Sequence, residues 1–214
     1  MAEVSSPVKL IPKAVEQGFR AVTQPTVNGL IRAGVRPNAI TTVGTVFVLV
    51  SGVAYGLGSI RLGGALLLVS GIIDTLDGAV ARASAQVTKF GAFYDSTLDR
   101  IGDGATFMGI AVWLLTTPEE VAFRVPAIIT CMTAIIASLL VSYARARAEG
   151  LGLDCKVGIA QRAERIVGLG LVSLFVGAGY QGLVLEVTVG LLTLASMITV
   201  VQRFVYVYQV TEGD

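Results

Sequence analysis

The chain has no histidine among its 214 residues. That removes the commonest general base near neutral pH and the commonest transition-metal ligand. Any metal here must rest on oxygen donors, which favours Mg²⁺, Mn²⁺ or Ca²⁺. Cysteine is nearly as scarce, with Cys131 in an apolar run and Cys155 in a polar loop. Two lone cysteines in different settings offer neither a disulfide framework nor a thiolate site. Charge is thin as well: charged residues make up 14% of the chain, against about 25% in soluble domains. The net charge of +1 gives no sign of a nucleic-acid partner, and none is expected. Residues 1–38 lack the short apolar core and small-residue cleavage site of a signal peptide.

What is abundant is apolar sequence, at 54% hydrophobic residues and a mean hydropathy of +0.76. The apolar runs are continuous rather than alternating, which predicts an all-α integral membrane protein. A spanning helix needs roughly 20 apolar residues. Six segments fit, at 39–58, 62–82, 91–116, 126–148, 162–178 and 183–205. Before them, 10–33 mixes Lys13, Glu16, Arg20 and Arg32 with Val15, Phe19, Val22, Leu30 and Ile31. This predicts either a membrane-surface amphipathic helix broken near Pro25 or a solvated arm. The expected organisation is an arm with a juxtamembrane helix over 1–38 and a six-helix transmembrane domain over 39–208.

The cations are unevenly placed. Lys9, Lys13, Arg20, Arg32 and Arg36 precede the first span, Arg82 and Lys89 follow the second, and Arg145, Arg147, Lys156, Arg162 and Arg165 follow the fourth. Arg203 lies near the end of the sixth, and the opposite side holds only Arg61 and Arg124. The positive-inside bias predicts cytoplasmic termini in a multi-pass protein of the cell membrane.

Against this apolar background stand four aspartates. Asp74 and Asp77 are spaced i, i+3 near the end of the second span; Asp95 and Asp99 are spaced i, i+4 on the third, and Asp103 continues their row. Intramembrane carboxylates cost about 2.5–3.5 kcal/mol each on insertion scales. The short link between these spans predicts antiparallel packing that brings the two pairs face to face, with their mouth toward the cytoplasm. Such a cluster repels itself unless some acids protonate or a divalent ion binds. One or two Mg²⁺ ions on oxygen ligands follow, with Mn²⁺ as an alternative. Gly78 lets a bulky ligand approach the backbone, and Arg82, one turn on, suits a phosphate. A competing reading pairs the acids with Arg82, Arg100 and Arg145 in buried ion pairs, and for Asp103 a pairing or capping role is expected over metal ligation.

The run Asp74-x2-Asp77-Gly78-x2-Ala81-Arg82-x8-Gly91-x3-Asp95-x3-Asp99 resembles the signature of the CDP-alcohol phosphotransferases, with every defining residue and gap intact. The resemblance extends over nearly the whole chain. It implies a homodimer that transfers a phosphatidyl-type group from a CDP-activated lipid to an alcohol and releases CMP. It also implies Asp74, Asp77, Asp95 and Asp99 as metal ligands, with Asp99 the general base on the acceptor hydroxyl. Gly78 and Arg82 would contact the CDP group. Asn38, Ala39, Ile40 and Thr41 match a Pro-Asn-x-x-Thr element lining the nucleotide site, although Asn38 or Thr41 also suits a helix N-cap. Thr88 aligns with a further nucleotide contact.

Acceptor choice must lie elsewhere. Ser142-Tyr143-x-Arg145-Ala-Arg147-Ala-Glu149, Gln161-Arg162-Ala-Glu164-Arg165 and Gln202-Arg203 resemble elements of the phosphatidylinositol-phosphate synthase branch of that family. Within the branch, the cations matching Arg145, Arg165 and Arg203 bind the phosphate of inositol phosphate. Arg145 stands where part of the branch has lysine, and Gln161 where the branch has glutamate. A dianionic acceptor needs several fixed positive charges, and arginine offers forked donors suited to phosphate. The competing roles are lipid anchoring for Arg145 and Arg147 and snorkelling for Arg203. The expected substrates are therefore CDP-diacylglycerol, or a related archaeal-type CDP-lipid, and inositol phosphate. A sibling using glycerol 3-phosphate is the nearest rival. A divalent-cation transporter is the rival from another class, and Arg82 beside the acids argues against it.

Overall fold

A computed structural model describes residues 13–117 and 121–212, and nothing is said below of the others. The described residues form helices and connecting loops, with no strand among them. The helices are α1 (Lys13–Arg32), α2 (Pro37–Gly56), α3 (Ile60–Ala83), α4 (Lys89–Thr116), α5 (Arg124–Gly150), α6 (Arg162–Phe175) and α7 (Leu183–Thr211). A single 3-10 turn, Tyr180–Gly182, leads into α7.

Helix α1 runs unbroken through Pro25, contrary to the break expected there. A proline removes one backbone donor, but the helix is held locally by Gln24 donating to Asn28. It is also held by burial of Val27 in a cluster with Ile40 and Val80, which docks α1 against the start of α2 and the end of α3. Pro37 occupies the first turn of α2, where its missing N–H costs nothing. Asn38 and Thr41 therefore lie inside the helix, and the N-cap alternative for them falls: the cap position is Arg36, which makes no side-chain cap bond. Helix α4 begins two residues before the expected Gly91, because the Thr88 hydroxyl accepts from the Gly91 N–H at 2.9 Å and caps it.

Among the described residues, four segments are long and apolar enough to cross a membrane: Pro37–Gly56, Ile60–Ala83, Arg124–Gly150 and Tyr180–Thr211. Large apolar side chains stay exposed along their outer faces. On α7 they fall at Val187, Leu191, Leu194, Ile198, Val201 and Val205, a stripe of alternating i+4 and i+3 steps. Water would penalise such a surface and lipid would not, so the chain is a multi-pass membrane protein. The other two expected spans differ in kind. Helix α4 carries Asp95, Asp99, Arg100 and Asp103 along its length, and α6 has 14 residues, about 21 Å of helix against about 30 Å of hydrocarbon.

Helices packed in lipid gain little from burying apolar area, so close backbone approach matters more. Helices α2 and α4 meet at Gly52 and Gly109. A Cβ on Gly52 would lie 2.6 Å from the Ala105 carbonyl oxygen, and one on Gly109 would run into the Gly52 carbonyl. Gly64 of α3 meets α6 in the same way, 2.8 Å from the Gly170 carbonyl oxygen. Nearby, the buried Tyr55 hydroxyl donates to Ser173 at 2.8 Å, tying α2 to α6. The principal core cluster gathers Tyr55, Ile60, Trp113, Leu114, Ala127 and Leu185. These lie at the C-terminal ends of α2 and α4 and the N-terminal ends of α3, α5 and α7, so tight packing closes one end of the bundle. The polar residues collect at the other end.

Candidate functional site

At that other end the C-terminal turns of α3 face the N-terminal half of α4. Carboxylate oxygens of Asp74, Asp95 and Asp99, one from each, all lie within 4.8 Å of one another. Among the described residues α3 and α4 do not pack directly on one another as expected, because each packs on α2 instead, yet three of the four acids still meet across the space between them. Asp77 points elsewhere: it is buried and its Oδ2 accepts from the Thr41 hydroxyl at 2.5 Å. That bond fastens the start of α2 to the signature of α3.

Of the partners in the competing ion-pair reading, Arg100 pairs with an acid of the cluster, and an arginine not among them, Arg162, holds it more closely. Arg162, at the start of α6, donates through Nη1 to Asp74 Oδ2 at 2.7 Å. The same nitrogen lies 2.8 Å from Asp99 Oδ1. Arg100 stands 3.5 Å from Asp99 Oδ2 and donates to the Ser96 carbonyl. Arg145 pairs with Glu149 at 2.8 Å instead. The guanidinium of Arg82 folds over its own helix, so that a Cβ on Gly78 would lie 3.1 Å from Arg82 Nη1. Asn38 and Thr88 converge on Gly91, whose Cβ would meet Thr88 Oγ1 at 3.0 Å and Asn38 Oδ1 at 3.3 Å. Ala39, Ile40 and Thr41 occupy the same first turns of α2.

The donor set fits a divalent cation. Three carboxylates with no nitrogen or sulfur ligand suit Mg²⁺ or Mn²⁺. Asp95 Oδ1 is buried without a hydrogen-bond partner, and such an atom calls for a ligand.

Beside the acids lies a cavity of 210 Å³ whose lining includes Asp99, Arg100, Arg145, Arg162, Arg165 and Arg203. Arg165 is buried, with Nη2 2.5 Å from Asp103 Oδ2, so Asp103 takes the pairing role expected of it. Its Nε and Nη1 are buried without partners. Arg203 does not snorkel. It is buried inside α7, donating through Nε to the Val157 carbonyl at 3.0 Å and through Nη1 to the Val141 carbonyl. Arg147 is exposed and does not line the cavity.

The connection from α5 to α6 is pinned to α7. The Ile159 and Ala160 N–H groups donate to Thr199 Oγ1 at 3.2 and 3.0 Å. Gly158, at φ +137°, occupies backbone space that favours glycine. Cys155 sits in the polar loop as expected, yet its side chain is fully buried there. Burial pushes its thiol pKa up, with the nearby Arg203 offsetting part of the effect. An inert thiol results, as the cysteine count suggested. The site is therefore built in two parts: acids from α3 and α4, cations from α5, α6 and α7.

Arg162 is the residue sequence reasoning missed. It was visible within Gln161-Arg162-Ala-Glu164-Arg165, three residues from Arg165 and hence on the same helical face.

Fold and site together define a helical membrane enzyme with an acidic centre beside an arginine-lined cavity. The family model described as CDP-alcohol phosphatidyltransferase matches residues 35–202, and the chain belongs to that family. Among its relatives is the archaetidylinositol phosphate synthase of Methanothermobacter thermautotrophicus, 39% identical over 89% of this chain and 93% of that protein. The phosphatidylinositol phosphate synthase of Cutibacterium acnes is 37% identical over 92% of this chain and 97% of its own length. The phosphatidylinositol phosphate synthase of Mycobacterium tuberculosis superposes with a TM-score of 0.77 in a crystal structure with CDP-DAG bound. It is 32% identical, and the match covers 88% of this chain and 94% of that one. The same enzyme has been solved with manganese and citrate, again at a TM-score of 0.77 and 32% identity, over 87% and 88% of the two chains.

Proposed function

We propose that this protein is a phosphatidylinositol-phosphate synthase, transferring the phosphatidyl group of CDP-diacylglycerol to inositol phosphate and releasing CMP. One observation carries the reading. Asp99 shares a single cavity with Arg145, Arg165 and Arg203, so a base and a set of phosphate-binding cations face the same space. An anionic alcohol held there by its phosphate would present a hydroxyl to Asp99.

Asp74, Asp77, Asp95 and Asp99 are the proposed metal ligands, with Asp77 turning from Thr41 to serve. The ion is Mg²⁺, one or two in number, with Mn²⁺ able to replace it. When bound, it supplies positive charge against the diphosphate of the donor. Gly78 and Arg82, with Asn38, Ala39, Ile40, Thr41 and Thr88, line the nucleotide side. Arg145, Arg165 and Arg203 hold the acceptor phosphate. Asp99 accepts the proton from the inositol hydroxyl. The freed oxygen attacks the β-phosphorus, which bears the lipid, and the bond from that phosphorus to the bridging oxygen breaks, releasing CMP.

The working arrangement is a homodimer in the cell membrane, with both termini and the site facing the cytoplasm. Helices α4 and α6 complete six spans, with α1 lying along the membrane surface. The arm ends near residue 38 and the catalytic domain runs over 39–208. An archaeal-type CDP-lipid is a second donor supported by the 39% identity to an archaetidylinositol phosphate synthase.

The test is CMP release from CDP-diacylglycerol and from its archaeal diether counterpart, with inositol phosphate, free inositol, glycerol 3-phosphate and serine as acceptors, with and without Mg²⁺. Release with inositol phosphate that requires Mg²⁺ is expected. Preference for glycerol 3-phosphate would overturn the acceptor. Metal uptake by sealed vesicles without CMP release would overturn the enzyme in favour of a transporter.

A further inference from the structure

Arg162 belongs to both parts of the site at once. Its Nη1 bridges Asp74 Oδ2 at 2.7 Å and Asp99 Oδ1 at 2.8 Å. Its Nε lies 3.6 Å from Asp103 Oδ1. That nitrogen is buried and has no hydrogen-bond partner. Asp74 and Asp99 are two of the three acids whose oxygens converge. The same side chain lines the cavity that Arg145, Arg165 and Arg203 also line.

A divalent ion on Asp74, Asp95 and Asp99 draws on the carboxylate charge that now holds Arg162. A guanidinium offsets one unit of that charge, while a divalent ion offsets two. One divalent ion leaves one of the three charges uncompensated, but it competes with the guanidinium for the same carboxylates and repels it, weakening its hold on them. Arg162 already lines the neighbouring cavity, which gives the displaced guanidinium somewhere to go.

We infer that Arg162 is an exchangeable counter-ion coupling the acidic centre to the anion cavity. Bound to Asp74 and Asp99, it neutralises the acids and ties up Asp99 Oδ1. Displaced by a divalent ion, it turns further into the cavity it already lines and lends its charge to the proposed anion site. Loading the ion thus strengthens the cavity for an anionic alcohol in the same movement. Arg162 is a positioning residue here, since it acts through Asp99 and through the anion site. The inference rests on the proposed metal ligation by Asp74, Asp95 and Asp99.

Mn²⁺ binding to the purified full-length protein in detergent, followed by the EPR signal of free Mn²⁺, separates this from a fixed orienting role. A competing cation, once removed, leaves tighter metal binding, whereas an orienting partner, once removed, leaves weaker binding. Arg162→Gln is expected to bind Mn²⁺ roughly tenfold more tightly than wild type, within the usual range of site-to-site coupling. Weaker or unchanged Mn²⁺ binding by the variant overturns the inference. In the wild type, Mn²⁺ should raise the affinity for inositol phosphate, and inositol phosphate should raise that for Mn²⁺ by the same factor. That measurement needs no variant, and its failure overturns the inference even if Arg162→Gln does not fold. Asp95→Asn tests the underlying reading separately. Undiminished Mn²⁺ binding in Asp95→Asn, or none in the wild type, removes the metal centre and the inference with it.

Discussion

Replacing Arg165 by alanine should damage one substrate's binding far more than the other's. Arg165 is 4% exposed and spends Nη2 on Asp103. Its Nε and Nη1 are buried and unpartnered, and the residue lines the cavity with Arg145 and Arg203. Two unpartnered donors on one planar cation suit phosphate oxygens. Charge-assisted hydrogen bonds contribute about 1.5–3 kcal/mol each. Taking the lower figure for two bonds gives about 3 kcal/mol, or roughly a hundredfold in affinity. Arg165→Ala should therefore raise the KM for inositol phosphate by about two orders of magnitude, while the KM for CDP-diacylglycerol moves less than about threefold. Arg165→Lys keeps the charge but loses the fork, and should cost roughly tenfold. Asp103 is not stranded in either variant, because Arg162 Nε stands 3.6 Å from it. The stability loss should accordingly stay below the roughly 3–5 kcal/mol of a buried pair broken outright. The assay is steady-state CMP release, varying each substrate at saturating levels of the other, with thermal unfolding of each variant alongside. Equal increases in both KM values, or a fall in kcat alone, would refute the assignment.

Three further outcomes are expected. Asp99→Asn should lower turnover by about a hundredfold or more, the scale of general-base catalysis, yet hold CDP-diacylglycerol with near wild-type affinity; normal turnover would remove Asp99 as the base. Gly109→Ala should lower the Tm because the new Cβ meets the rigid Gly52 carbonyl, at a cost of about 1–3 kcal/mol. Gly104→Ala on the same helix, where a Cβ meets nothing within 4 Å, should leave the Tm unchanged or raised; equal losses in both would discredit the backbone contact. In a Cys131→Ser background, Cys155 should resist maleimide at pH 8 until the protein is denatured. Its raised pKa leaves less thiolate at any given pH than a free cysteine has, so labelling of the folded protein at the free-thiol rate would contradict its burial.

The helices were legible because continuous apolar runs have one outcome in lipid, and the expected boundaries lie close to those observed. The departures have local causes. Helix α6 ends at Phe175 rather than near 178, just before Gly177 at φ +64°. Helix α7 runs on to Thr211 because its polar tail keeps helical bonding, which leaves Arg203 in the interior of the helix rather than near its end. The spacing of Asp74, Asp95 and Asp99 foretold their convergence, but the route differs from the expected direct packing, since α3 and α4 are each held by α2. The partnership with Arg162 was not foretold. Arg162 lies 88 residues from Asp74, and no local spacing rule connects them. Burial of Cys155 depends likewise on Thr199 gathering the loop from 40 residues away, a contact invisible to local polarity.

The division of the site between acids from α3 and α4 and cations from α5, α6 and α7 has an evolutionary consequence. The acids and the residues proposed for the nucleotide side lie before residue 104, and the lining of the cavity, Asp99 and Arg100 apart, lies after 140. Substitution in the second stretch can therefore retune the alcohol while the donor chemistry is inherited unchanged. A lineage could acquire a new headgroup by editing a few positions around one small cavity, and laboratory recombination near the α4–α5 connection should do the same.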